Sequence, residues 1–175
     1  MRNQAMALSA PSQPAVLEVR LEAEVKPLYL EALGLLERLH RKLLDVVKDE
    51  LERRKITEIN AVQALLLYNI ADKELTAGEL RSRGYYLGSN VSYNVKKLVE
   101  MGYMDHQRSR IDRRAVRISL TPKGQAIHLT LARLLDKHTA SIEPVGGVSS
   151  EDLRRVNVAL GRLERFWTDH IKYRL

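Results

Sequence analysis

The chain has 175 residues and a hydrophobic share of 45%, enough for one packed domain with an appended interface. Its formal net charge of +7 points to a polyanionic partner, nucleic acid or a membrane surface, and the absence of cysteine excludes disulfides, thiolate zinc sites and thiol redox sensing. No apolar run approaches the roughly 18 residues of a membrane span and no apolar leader follows the first arginine, so a cytoplasmic chain is expected.

Residues 1–14 carry Ser9, Pro11, Ser12 and Pro14 among small side chains with no repeating face, which reads as a flexible arm. From Ala15 the pattern turns helical and runs to residue 56, with Pro27 suited to a break or to the first turn of a new helix. Leu28, Leu35, Leu36, Leu39, Leu43, Val46, Val47 and Leu51 follow helical spacing, and Leu30, Leu33 and Leu44 widen the stripe. A helix that is apolar on more than one side has a second protein surface to meet.

Thr57 is predicted to cap a helix through Ala71, with Glu58 in its first turn and Val62, Leu65, Leu66 and Ile70 facing inward. Thr76 is predicted to cap a short helix closed by Gly84, its side chain also available to a phosphate. Ser89 is predicted to cap the next, which buries Val91, Val95, Leu98 and Val99 and ends at Gly102. On its other face stand Ser89, Asn90, Ser92, Tyr93, Lys96 and Lys97, groups that donate to base edges and phosphates.

After Gly102 the period changes to two. Residues 103–107 and 115–120 read as strands, and the tip between them holds Arg108, Arg110, Asp112, Arg113 and Arg114. Such a tip suits a narrow, negative minor groove, although exposed hairpins are often simply charged. Charge is concentrated here: between Thr76 and Lys123 ten basic residues stand against four acidic ones, which is +6 of the total +7. Helix, turn, helix and hairpin are the layout of a winged helix-turn-helix, expected over residues 57–122.

Thr121 and Pro122 give an N-cap and a first-turn proline for a helix reaching about Thr139, with Ile127, Leu131, Leu134 and Leu135 inside. Residues 144–147 form a connector. Ser149 or Ser150 caps the last helix, where Leu153, Val156, Leu160, Leu163, Trp167 and Ile171 repeat every three or four residues, close to a coiled-coil seam. The fold class is thus mainly α with a small β-wing, one lobe flanked by N- and C-terminal dimerisation helices, the latter over 123–175.

The stretch Leu75 to Gly124 resembles the MarR family of winged-helix regulators in its LTAGEL opening, its SNVSYNVKKLVEMGY helix and its DRRAVRISLTPKG segment. The resemblance implies a homodimer whose lobes face successive major grooves of a pseudo-palindromic operator in double-stranded DNA, most often as a repressor. It implies that Asp112, otherwise a turn former, braces a wing arginine, and that Arg113 or Arg114 enters the minor groove. It also implies a small-molecule effector crevice bordered by the helices of His40 and Tyr68, two residues that read more readily as satisfied core groups. Trp167 reads as an anchor of the dimer core. The sequence departs from the family's pattern at Tyr93, where an arginine is common, and at Arg108, where the wing often has proline; Tyr93 and Asn94 leave the base preference open. Histidine spacing gives no metal set, no cofactor motif is present, and no G-x-S-x-G, phosphate loop or H-E-x-x-H supports an enzyme. A winged-helix adaptor that binds another protein is the competing reading.

Overall fold

The computed structural model describes residues 13–71, 73, 75, 76, 79, 88–108 and 116–174, and the arm expected over 1–14 lies outside these but for Gln13 and Pro14. The helices are α1 (Gln13–Arg53), α2 (Ala61–Ile70), α3 (Gly88–Glu100), α4 (Pro122–Ser141) and α5 (Ser150–Tyr173); the strands are β1 (Leu75–Thr76), β2 (Met104–Arg108) and β3 (Val116–Leu120). Two compact units result, Met1–Asp49 and Glu50–Leu175.

The first unit is the greater part of α1, which runs through Pro27 rather than restarting there. Strong helix formers on both sides, among them Ala23, Glu24, Leu28 and Glu31, carry the helix past the one missing N–H. Of the predicted apolar stripe, Val47 is buried, but Leu28, Leu35, Leu39 and Leu43 are exposed, as is Leu30. Leu33, Leu36, Leu44 and Val46 are half-buried, and full burial of the stripe begins at Val47.

In the second unit, α2 packs on α4, and both reach β3, while α3 packs on β2. Leu66, Leu67, Ile70, Leu98, Met104, Ile118 and Leu131 are its most deeply buried side chains. Helix α2 starts later than predicted. Its N-cap is Asn60, whose side chain accepts from the Gln63 N–H at 2.9 Å while the Gln63 amide accepts from the Asn60 N–H at 3.1 Å. This reciprocal box displaces Thr57 as the cap and leaves Glu58 in the preceding loop, where it has other partners.

The sheet has three strands in the order β1-β3-β2, all antiparallel. The pairing of β1 with β3, Leu75 opposite Ile118 and Thr76 opposite Arg117, was not expected from sequence, because two residues are too short to show alternation. Thr76 therefore closes a strand, and Glu79 is helical just beyond it. Gly84 lies outside the described residues.

Candidate nucleic-acid interface

Helix α3 begins at Gly88, so Ser89 sits inside the first turn instead of capping it. The C-terminal end follows expectation: Gly102 takes φ +75°, its N–H donates to Val99 O at 3.0 Å, and the Tyr103 N–H donates to Leu98 O at 2.8 Å. This paired closure of the last carbonyls turns the chain sharply into β2.

The next joint fixes α3 against α4. Thr121 donates its hydroxyl to Gly102 O at 2.7 Å and accepts from the Gly124 N–H at 3.2 Å, and the Thr121 N–H donates to Tyr103 O at 3.2 Å. A Cβ on Gly124 would stand 2.1 Å from Tyr103 O, so only glycine lets the first turn of α4 come this close. Around the joint, Glu58 accepts from Tyr103 OH at 3.0 Å and from Lys123 Nζ at 2.7 Å, and Lys123 also donates to Met101 O and lies 4.1 Å from the Tyr103 ring centroid. The Lys123 hydrogen bond, then that of Tyr103, holds the Glu58 carboxyl below its usual range, and burial foremost pushes the Tyr103 phenol up. Sequence reasoning placed Glu58 in the first turn of a helix and residue 103 at the start of a strand but did not pair them; the cluster joins positions 45 and 65 residues apart, which leaves no local pattern.

On α3 itself, Val95 and Leu98 are buried as predicted, and Asn94 is buried beside them. Asn94 is thus withdrawn from the outward face. Ser92, Tyr93 and Lys96 are exposed, Tyr93 by 61%, while Lys97 is half-buried. Ser89 and Asn90 lie in the first turn of the same helix. Glu100 was missed by the sequence reading, although a carboxylate three and four residues past two lysines is a recognisable helix pairing. It accepts from Lys97 Nζ at 3.0 Å and lies 3.9 Å from Lys96 Nζ. The Lys97 hydrogen bond is the main cause that lowers the Glu100 carboxyl, and the same bond raises the Lys97 ammonium, with Tyr93 adding a smaller push. Both lysines are therefore shared with a carboxylate, in an exposed geometry that a phosphate displaces at little cost.

The wing is registered by β2 and β3, Met104 opposite Leu120, Gln107 opposite Arg117, and Arg108 opposite Val116 at the last pair. Arg110, Asp112, Arg113 and Arg114 belong to the connection beyond that pair and lie outside the described residues. Of the crevice candidates, His40 is exposed on α1, and Tyr68 is half-buried, stacked on His128 with ring centroids 5.3 Å apart, its carbonyl 3.1 Å from His128 Nδ1.

The dimerisation candidates share one helix that buries nothing. Ser149 caps α5 in a reciprocal box with Asp152, and no α5 residue is buried: Leu153, Val156, Leu160, Trp167 and Ile171 are exposed and Leu163 is half-buried. Among the described residues no helix is long and apolar enough to cross a membrane.

Residues 59–124 match the family model described as a winged helix DNA-binding domain. Over 145 residues the chain is 32% identical to the exopolysaccharide II synthesis transcriptional activator ExpG of Rhizobium meliloti strain 1021, spanning 83% of this chain and 74% of that one. Among solved structures it is similar to FabT of Streptococcus pneumoniae in complex with DNA, at 22% identity and a TM-score of 0.63, over 81% of this chain and 98% of that one. It is likewise similar to MarR of Staphylococcus aureus in complex with salicylate and kanamycin, at 20% identity and a TM-score of 0.64, over 84% and 97%. The winged-helix fold and its function class, a transcriptional regulator and not an enzyme, follow from these together, and the chain belongs to the MarR family of winged helix-turn-helix regulators.

Proposed function

We propose that two copies of this chain bind a pseudo-palindromic operator in double-stranded DNA, each presenting the outward face of α3 to a major groove and its wing to the adjacent minor groove. The reading rests above all on α5, an amphipathic helix of 24 residues with no residue buried in the single chain. A second copy is the cover such a seam needs. Ser92, Tyr93, Lys96 and Lys97 then read bases and phosphates with Ser89, Asn90 and the Thr76 region, and Arg108, Arg110, Arg113 and Arg114, steadied by Asp112, supply the wing contacts. The FabT complex with DNA supports the use of this fold on a duplex.

Selection of fragments from a duplex library by the purified chain, followed by footprinting, tests the proposal. Paired half-sites about 34 Å apart are expected. Affinity should fall by roughly 10³ between 50 and 200 mM salt for 6 to 10 phosphate contacts. Replacing Arg113 and Arg114 by alanine should abolish retention at moderate salt; unchanged retention, or no preferred site, favours a protein adaptor. Release by a small molecule is supported by the salicylate complex of the staphylococcal protein, and a thermal-shift screen with aromatic acids tests it. Repression is the family-based expectation, whereas the name of the Rhizobium relative favours activation. A reporter assay with the selected site upstream of or across a promoter decides the sign.

A further inference from the structure

A recognition helix reads a base pair by a bidentate donor or acceptor, or by apolar contact with the thymine methyl group. Among the described outward side chains of α3, Ser92, Tyr93, Lys96 and Lys97, the first kind is scarce. No arginine stands on this helix, and the two lysines that could address guanine are both drawn to Glu100, at 3.0 and 3.9 Å. Of the two asparagines on α3, either of which could address adenine, Asn94 is buried and Asn90 stands in the first turn, before Tyr93. What α3 does hold outward is Tyr93, a large flat side chain that is 61% exposed in the first half of the helix, one turn before Lys97. The N-terminal half is where such a helix meets base edges, while the later turns face the backbone. A ring with two rotatable bonds loses little freedom on being covered, and its apolar body has no hydrogen-bond demand to meet in the groove.

We propose that Tyr93 determines specificity by packing its ring against the 5-methyl group of a thymine in the major groove, so that each half-site is read there as a methyl group. This rests on the DNA-binding reading above. A hydroxyl contact from the same side chain to a phosphate is the competing role, and it predicts the opposite behaviour of phenylalanine.

The test uses the full chain and the duplex it selects, resynthesised with each thymidine replaced singly by deoxyuridine, which removes the methyl and keeps the pairing edge. One position per half-site should weaken binding by about fourfold, the worth of one buried methyl. Tyr93→Ala should bind the thymine duplex about tenfold more weakly and no longer distinguish it from the uracil duplex. Tyr93→Phe should keep both affinity and discrimination. Thermal melts of both variants should match the parent, since the side chain is exposed. Indifference of the parent chain to every uracil, half-sites without thymine, or a Tyr93→Phe loss equal to that of Tyr93→Ala each overturns the contact while leaving DNA binding in place. A chain that selects no preferred sequence overturns the DNA reading and this contact with it.

Discussion

Gly124 is held as glycine by space: its absent Cβ would fall 2.1 Å from Tyr103 O, a main-chain atom anchored by its own bond from Thr121. Gly124→Ala should therefore cost about 1–3 kcal/mol in denaturant unfolding, as an overpacked site does. An unchanged midpoint would mean the turn at Tyr103 yields. Glu100 makes the opposite case, a side chain whose removal should help. Glu100→Gln frees Lys96 and Lys97, so DNA binding should tighten and the slope of log affinity against log salt should steepen by about one, the weight of one more phosphate contact. A slope unchanged in filter-binding titrations would place both lysines away from the backbone. The glycine was visible in sequence only as part of the LTPKG segment that carries the family resemblance. Glu58 was not, because its partners Tyr103 and Lys123 become neighbours only after the lobe folds.

At the level of single elements, caps decided where prediction and structure agreed. Thr121 with Pro122, and Ser149 with Asp152, start α4 and α5 as their sequences indicate. For α2 two candidate caps compete, and the reciprocal Asn60–Gln63 pair satisfies two donors where Thr57 would satisfy one. Strand β1 was illegible for a different reason: its identity comes from β3 across the sheet, not from its own two residues. The end of α1 carries a titratable element of the fold. Glu50 is 6% exposed and accepts from Arg53 at 2.7 Å and Arg54 at 2.6 Å. The Arg54 hydrogen bond holds its carboxyl below the ordinary 4.5, against the opposing effect of burial. A depressed folded-state pKa means the contribution is complete above the unfolded value and lost as pH falls through the folded one. Stability should thus decline below pH 4.5 in acid titration followed by circular dichroism, and Glu50→Gln should be less stable by about 1 kcal/mol at neutral pH with a flatter acid limb. An acid limb unaltered by that change would assign the decline to other carboxylates.

Across the molecule, what sequence could not reveal is which apolar stripes a single chain covers. The rows on α1 and α5 look alike on paper, yet Val47 and Leu51 are buried and every α5 position stays at least partly open. The difference lies in tertiary neighbours, which periodicity does not contain. If α5 forms the proposed dimer seam, Leu160→Glu should leave a monomer in sedimentation velocity and weaken operator binding about a hundredfold or more, because two linked lobes gain avidity that one lacks. A dimer that survives the charge would move the interface away from α5. The hairpin of the wing was likewise legible in the sequence while its contacts were not, since four arginines point to a polyanion but do not name the surface that it presents. The joint between α3 and α4 has a consequence for retargeting. It is made largely of main-chain oxygens of Leu98, Val99, Gly102 and Tyr103, closed by Thr121 and the bare Cα of Gly124. None of its partners is an outward side chain of α3. Tyr93 and Lys96 are therefore exchangeable at the surface: another family member's residues could be grafted at these two positions with stability kept within about 0.5 kcal/mol, so that the outward face of α3 can be rewritten while its joint to α4 stays as it is.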